Sequence, residues 1–251
     1  IKNSVTLYAA GDNSEVTLTK PEKFSSYLSE NSVAAYAKDK GKINMNNTTL
    51  PTTPNINIKS TSNKGIGLFA SNGGVINAKK NYIKVENGST GISSIGANGT
   101  SKSTVHFEGG KLDYDGEGFA LYTDTDGKIN ADNSKVKLSG KAVGFGIKGT
   151  SSGGYTSNVS LSNANFEIAS DDVILMNVLN PNVLKISNFV STLSAASGLN
   201  ASNITTNGPG AGDNYKLAVV EGLNNGKSFI FDNDLDKSLA VSSSNSATND
   251  Y

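Results

Sequence analysis

A degenerate internal repeat, with a spacing of roughly 24 to 33 residues, limits what this chain can fold into more than any other sequence feature. Each copy contains three short apolar runs, and turns rich in Gly, Asn and Ser separate them. In five readable copies the first runs are 33–36, 66–69, 92–95, 119–122 and 143–146, the second runs are 41–45, 74–77, 105–107, 127–131 and 159–161, and the third runs are 56–58, 83–85, 112–114, 136–138 and 166–168. Short runs that alternate apolar and polar residues predict β-strands and leave no room for long helices.

Three strands per repeat predict a structure with three faces. One triangular coil cannot bury its apolar side chains, so the copies are expected to stack, with each strand parallel to its equivalent about 4.8 Å away. Further strand-like runs lie at 5–7, 16–18, 173–176, 183–186, 217–220 and 229–231, and the segment 21–28 is expected to form a short helical excursion. The sequence thus predicts an all-β, three-sided parallel β-helix of about nine coils with irregular loops, as a single segment over residues 1–251.

The aligned repeats also predict which side chains stack on one another. Two inward rows are expected, one formed by Ile43, Val75, Val105, Ile129 and Val159, the other by Val33, Ile66, Ile92, Phe119 and Val143. The outward row of the third strand is Asn57, Lys84, Asp113, Lys137 and Glu167. Its charges alternate in sign, which favours this register because like charges opposite each other destabilise a sheet. A polar substitution at Ile129 is expected to cost much more stability than one at Asn130.

Composition excludes several classes of function. All 22 basic residues are Lys, 22 acidic residues balance them, and the formal net charge is zero, so a nucleic-acid partner is not expected. The chain has no Cys, which removes disulfides, zinc fingers and thiol catalysis. The apolar runs, such as 173–176, are far shorter than the roughly 20 residues of a membrane-spanning helix. Because the chain opens at Ile1 without a signal peptide, it is expected to be a piece of a longer precursor.

Few residues are suited to catalysis or to metal binding. The single histidine, His106, lies in a predicted strand between Val105 and Phe107 and is expected to face outward. The sequence has no H-E-x-x-H or P-loop motif. We therefore predict a non-enzymatic protein with no catalytic residue, no cofactor and no metal site, and the sequence assigns no binding residue.

Clusters of carboxylates nevertheless keep two alternatives open. They lie at Asp113, Asp115 and Glu117, at Asp124 and Asp126, at Asp171 and Asp172, and at Asp232, Asp234 and Asp236. Acids from neighbouring coils could form a catalytic groove, as in pectin-degrading β-helix enzymes, and the turn from Thr123 to Gly127 could hold calcium through oxygen ligands. Separately, the outward aromatic side chains of Phe69, Tyr122 and Tyr155 are a candidate recognition surface.

The motif Gly-Lys-Ile-Asn, at Gly41–Asn44 and Gly127–Asn130, recurs among coils rich in Asn, Ser and Thr. With these features the whole chain resembles the passenger domains of monomeric, type V autotransporter adhesins, and its all-Lys, Asn-rich usage resembles that of a low-GC Gram-negative bacterium. The resemblance implies a right-handed β-helix at the cell surface, anchored to the outer membrane in the full-length protein and translocated by a β-barrel that lies outside this sequence. The G-D-S-G-S motif of the protease subgroup is absent, and such adhesins share no binding motif whose residues could be carried over.

The function implied by this resemblance is adhesion, in which loops on the β-helix bind a protein or a glycan of host cells or of other bacteria. Binding determinants are expected in the loops between the strands. A passive stalk or spacer of a larger passenger is one alternative, and a polysaccharide-cleaving β-helix enzyme or phage tailspike is another. The unpaired strand edges of the first and last coils also predict end-to-end self-association.

Overall fold

Strand pairing follows a period of three up to residue 179 in the computed structural model, which describes residues 2–97, 101–148, 157–179, 204–206, 214–221 and 241–243. Sheet A contains β1 (Val5–Ala10), β4 (Val33–Lys38), β7 (Ile66–Ser71), β10 (Thr90–Ile95), β13 (Gly118–Asp124), β16 (Ala142–Lys148), β19 (Ile174–Leu179), β21 (Lys216–Glu221) and β22 (Val241–Ser243). Sheet B contains β2 (Glu15–Thr17), β5 (Lys42–Asn44), β8 (Val75–Asn77), β11 (Thr104–His106), β14 (Lys128–Asn130) and β17 (Asn158–Ser160). Sheet C contains β3 (Ser26–Leu28), β6 (Ile56–Lys59), β9 (Tyr82–Glu86), β12 (Lys111–Asp115), β15 (Lys135–Ser139), β18 (Asn165–Ile168) and β20 (Ile204–Thr206).

Neighbouring strands within each sheet pair in parallel, which confirms the predicted three-sided parallel β-helix. We number the coils by their sheet A strand, so that coil 1 contains β1, β2 and β3, and the nine strands described in sheet A match the predicted number of coils. All runs of the five readable copies overlap strands. Of the other runs, 5–7, 16–18, 173–176 and 217–220 overlap strands, whereas 183–186 and 229–231 lie outside the described residues.

The predicted helical excursion over 21–28 is wrong in its second half. A 3-10 helix covers only Pro21–Lys23, and Phe24 is already extended, with ψ 132°. Ser26 and Leu28 are buried in β3, the first strand of sheet C, which pairs with β6. Burial of Leu28 against the core therefore outweighs the helical spacing of the apolar residues in this segment.

Sharp corners join the three sheets, and they account for the many Asn residues. Among the residues that the structure describes, eight of the 13 non-glycine residues with positive φ are Asn. Among side chains other than Gly, Asn adopts this left-handed conformation most readily because its short amide can hydrogen-bond locally. Examples are Asn31, Asn63 and Asn87 between sheets C and A, and Asn133 and Asn163 between sheets B and C.

The Gly-x-Ile-Asn motif that opens several sheet B strands has a physical reason at each position. A Cβ atom on Gly127 would lie 1.9 Å from Ser94 O in the preceding coil, so only glycine fits. Ile129 is buried in the core, and the Asn that follows lies on the outer face. Asn at this position forms an amide ladder between coils, since Asn77 Nδ2 donates to Asn44 Oδ1 over 2.7 Å.

One predicted inward row of sheet B needs correction. Ile76, not Val75, is in register with Ile43 and Val105 and is fully buried. Val75 instead pairs with Lys42 and is half-exposed on the outer face. The run has two adjacent aliphatic residues, and the glycine before them sets the register that decides which one points inward.

The predicted inward row of sheet A is also wrong. The observed inward row is Ala35, Leu68, Ile92, Leu121, Phe145 and Met176, and the outward row is Val5, Val33, Ile66, Thr90, Phe119 and Val143. Of the predicted row, only Ile92 lies in the observed inward row, and Val143 is buried at 8% exposure although it is in register with the outward Phe119. The reason is a break in alternation, because two consecutive residues of a sheet A strand, such as Ala34 and Ala35, are buried after the outward first residue.

Candidate binding surface

The outer face of sheet A carries an apolar patch in coils 1–3. Its members form an aliphatic row and an aromatic row, in register on β1, β4 and β7, and we call these six residues the sheet A patch: Val5, Val33, Ile66, Tyr8, Tyr36 and Phe69. Val5 is 43% exposed and Tyr8 is 51% exposed, while the other four are half-buried. Contiguous apolar surface of this kind marks interaction sites when polar residues surround it.

In-register pairing stacks the three aromatic rings of the patch along the β-helix axis. The ring centroids of Tyr36 and Phe69 are 4.7 Å apart with planes 10° apart, and those of Tyr8 and Tyr36 are 5.6 Å apart with planes 52° apart. The hydroxyl of Tyr36 lies 3.2 Å from Ser71 Oγ, which holds the ring along the sheet. Stacked rings cover part of each other's faces, so a partner meets mainly ring edges and hydroxyl groups.

Paired charges border the sheet A patch where its strands end. Lys38 Nζ lies 3.3 Å from Asp39 Oδ2, and Lys40 Nζ lies 3.0 Å from Asp12 Oδ2. The hydrogen bond to Asp39 is the main cause of a raised pKa at Lys38. An apolar centre with a polar rim is the usual arrangement of a protein interaction surface.

Towards the later coils the aromatic row is interrupted, and its next ring packs against neighbouring side chains. Its next position is Ser93, which is buried, followed by Tyr122. The rings of Phe119 and Tyr122 are 4.9 Å apart, and a Cβ atom on Gly146 would lie 2.5 Å from the ring of Phe119, so these rings pack over the glycine. Burial is the first cause of a raised pKa at Tyr122. Among the described rings of this row, Tyr8 of coil 1 is the most exposed, and Tyr122 is half-buried, as Tyr36 and Phe69 are.

The three aromatic residues predicted to form a recognition surface differ in outcome. Phe69 and Tyr122 lie on the outer face as expected, and Tyr155 lies outside the described residues. Sequence reasoning did not select Tyr8 and Tyr36, although both align with Phe69 once the register is known. The recurrence of an aromatic residue three positions after Val5, Val33 and Ile66 was the available signal.

The outer face of sheet C has the opposite chemistry. The predicted row Asn57, Lys84, Asp113, Lys137 and Glu167 is in register, which confirms the alignment. Lys137 Nζ contacts Glu167 Oε1 in the next coil over 2.8 Å. Lys84 and Asp113 instead form their ion pairs within their own strands, Lys84 with Glu86 over 2.5 Å and Asp113 with Lys111 over 3.2 Å. Lys84, Asp113, Lys137 and Glu167 of this row thus each have a partner of opposite charge.

Two long loops at the corner between sheets B and C extend from coils 1 and 2. The first, 18–25, contains the 3-10 helix, and the second, 45–55, connects β5 to β6. Buried asparagines hold the second loop at both ends: Asn47 Nδ2 donates to Lys80 O over 3.2 Å, and Asn55 Nδ2 donates to Asn81 Oδ1 over 2.5 Å. The residues between Asn47 and Asn55 form a surface loop whose two ends are fixed to the β-helix.

The residues considered for catalysis form local pairs. His106 is half-exposed on the outer face of sheet B as predicted, and its Nδ1 lies 3.3 Å from Glu108 Oε1. Glu108 also pairs with Lys79 over 2.9 Å. Tyr82 donates its hydroxyl hydrogen to Asp113 Oδ2 over 2.5 Å. Glu108 and Asp113 thus have lysine or hydroxyl partners, whereas Asp115 lies in register with Glu86 of the preceding coil.

The turn considered for calcium joins β13 to β14. Thr125 and Asp126 both have positive φ there, and Asp124 Oδ2 lies 3.2 Å from Lys148 Nζ. Among the described residues no group of three or more His, Asp or Glu side chains is arranged to hold a metal ion. The acids at 232, 234 and 236 lie outside the described residues.

Comparisons with protein-family models, with curated protein sequences and with solved structures gave no match. In the part of the chain that the structure describes, no helix has the length and hydrophobicity needed to cross a membrane.

Proposed function

We propose that this chain is a segment of a non-enzymatic cell-surface adhesin, the passenger of an autotransporter, and that the sheet A patch in coils 1–3 is its binding surface. The observation that carries the proposal is the aromatic row Tyr8, Tyr36 and Phe69, which is partly exposed beside an aliphatic row. Tyr side chains give large, rigid contact areas with a polar tip and dominate many binding surfaces.

The arrangement supports adhesion because the β-helix repeats its strands at a fixed spacing. Rows of equivalent side chains then form a rigid surface. Binding of a partner therefore does not pay the entropic cost of ordering that surface. The partner is a surface protein or glycan of host cells or of other bacteria, and no nucleic acid is involved because the chain has no net charge. The paired rim charges, such as Lys40 with Asp12, give the patch polar borders.

Binding of the labelled protein to host cells, partner bacteria and arrayed glycans tests this proposal. Tyr8→Ser is expected to weaken saturable binding at least about tenfold, which is about 1.4 kcal/mol. Tyr27→Ser is the matched control, because Tyr27 is 65% exposed but belongs to sheet C. Equal loss in both variants, or saturable binding that neither variant affects, contradicts the assignment to sheet A.

A passive stalk is the second candidate. The regular charge row on sheet C, with pairs such as Lys137 and Glu167, and the short corners in coils 3 and 5 favour it, because a spacer needs only a stable repeat. A folded sample that binds none of the cells, bacteria or glycans supports the stalk.

A further inference from the structure

The loop between β5 and β6 contains a feature that the binding surface does not use. We define the Thr-Pro loop as residues 48–54, with the sequence Thr-Thr-Leu-Pro-Thr-Thr-Pro. All four threonines, Thr48, Thr49, Thr52 and Thr53, are exposed. Within the described part of the chain, none of their hydroxyl groups makes a hydrogen bond. Four exposed hydroxyl groups without partners within seven residues require an explanation.

The backbone of the Thr-Pro loop is held in an accessible shape. Pro51 and Pro54 disfavour helical conformation at the residues that precede them, and the backbone bends at 48–49 and at 52–53. The ends are fixed, because Asn47 and Asn55 are buried and hydrogen-bonded to the next coil. Lys80 Nζ also donates to Thr48 O over 2.8 Å. An exposed segment with fixed ends can enter the cleft of a modifying enzyme without unfolding the β-helix.

We propose that the threonines of the Thr-Pro loop are acceptors for O-linked sugars. Segments rich in Thr and Pro are typical of O-glycosylation, and here the pattern coincides with exposure and with unpartnered hydroxyl groups. In the reaction, Thr Oγ1 displaces a nucleoside diphosphate from the anomeric carbon of a sugar nucleotide. The new carbon–oxygen bond replaces the bond to phosphate, and the hydroxyl proton passes to a base of the transferase. This inference is independent of the proposed binding surface.

The neighbouring loop provides a matched contrast. Thr61 is also exposed, but its Oγ1 donates to Glu30 Oε1 over 2.9 Å. Ser60 donates to Glu30 Oε2 over 2.7 Å, and Ser62 donates to the same oxygen. These three hydroxyl groups already have a carboxylate partner and are expected to remain unmodified, although they lie in the same coil.

Peptide mass spectrometry of the protein from the cells that produce it tests the proposal. Trypsin cleaves after Lys42 and Lys59, and the peptide 43–59 contains the four threonines and no other hydroxyl side chain. We expect this peptide to carry the mass of at least one sugar, placed on Thr by electron-transfer fragmentation. The peptide 60–64 is the control and is expected at its unmodified mass.

Three results would overturn the proposal. The first is an unmodified peptide 43–59. The second is a sugar on Asn46 or Asn47, which lie in Asn-x-Thr sequences and would indicate N-linked transfer instead. The third is equal modification of 60–64, which would show that the shape of the Thr-Pro loop does not select the acceptor. Replacing all four threonines by Ala in the same cells should remove the added mass and leave the fold intact, because all four side chains are exposed.

Discussion

Sheets A and C are built from the same coils and the same parallel pairing, yet their outer faces differ in what they leave for a partner. On sheet C, neighbouring charges such as Lys137 and Glu167 contact each other across coils. On sheet A, Tyr8 and Val5 of coil 1 are about half exposed, so this apolar surface remains accessible to a partner. A β-helix can therefore use one face to reinforce its register and another to present contact area, because outward side chains are not needed for the core.

The largest expected loss of stability comes from a substitution in the core, which supports both faces. Ile129→Asn places an amide where the side chain is 1% exposed, and it should lower the free energy of unfolding by about 3–5 kcal/mol. Asn130→Ser, one residue later on the outer face, should cost less than about 1 kcal/mol. Urea unfolding of both variants compares them, and equal losses would contradict the inward assignment of Ile129.

The next test concerns the charge row of sheet C alone. Glu167→Lys puts two lysines opposite each other at 137 and 167, where the native pair is 2.8 Å apart. Both side chains are partly exposed, so the expected loss of stability is at most about 1 kcal/mol. Glu167→Gln is the control, with a smaller loss, and high salt should reduce the difference between the two variants. A difference that does not respond to salt would mean that charge is not its cause.

Much of this fold was predictable because the repeat reports the register directly. The third strand of each copy alternates strictly, and its outward row from Asn57 to Glu167 was placed correctly. The inward row of sheet A was predicted less accurately because the strands of this sheet bury two consecutive residues, as at Ala34 and Ala35. Simple alternation then assigns Val33 to the wrong side. Val75 was misplaced by a single position for a similar reason, since both neighbouring side chains are aliphatic.

The candidate site was harder to predict than the fold. An aromatic residue on a strand looks the same in the sequence whether its ring is exposed or covered. Tyr122 and Phe69 occupy one row, but Tyr122 packs with Phe119 over Gly146, whereas Phe69 stacks on Tyr36. Exposure depends on which residues occupy the neighbouring coils, and that information appears only when the register is known.

A third test addresses the corner that connects the two faces. Glu30 lies between β3 and β4, and hydrogen bonds from Ser62, from the backbone of Thr61 and from Ser60 lower its pKa from 4.5 to about 2. A carboxyl whose pKa falls on folding stabilises the native state above its unfolded pKa, and this stability is lost as the pH falls through the folded pKa. The native protein should therefore lose a stabilising contribution between about pH 4.5 and pH 2.

Glu30→Gln separates this contribution from general acid unfolding. The difference in unfolding midpoint between the native protein and the variant should be constant above about pH 5 and should shrink as the pH approaches 2. A matched control is Glu22→Gln, which changes an exposed acid in the 3-10 helix before β3. A pH-independent difference at Glu30 would contradict the role of its ionised form.

The smallest expected effect tests whether the outer faces of sheets A and C differ in binding or in their contribution to stability. Tyr8 and Tyr27 are both more than half exposed, one on sheet A and one on sheet C, so replacing either by Ser should change the free energy of unfolding by less than about 0.5 kcal/mol. Thermal and urea unfolding of the two variants measure this. If both remain as stable as the native protein and only Tyr8→Ser binds more weakly, the difference between the faces lies in recognition. A large loss of stability in Tyr8→Ser would instead mean that packing of the Tyr8 ring against Tyr36 holds coil 1 in place. The aromatic row would then stabilise the fold, as the charge row of sheet C does.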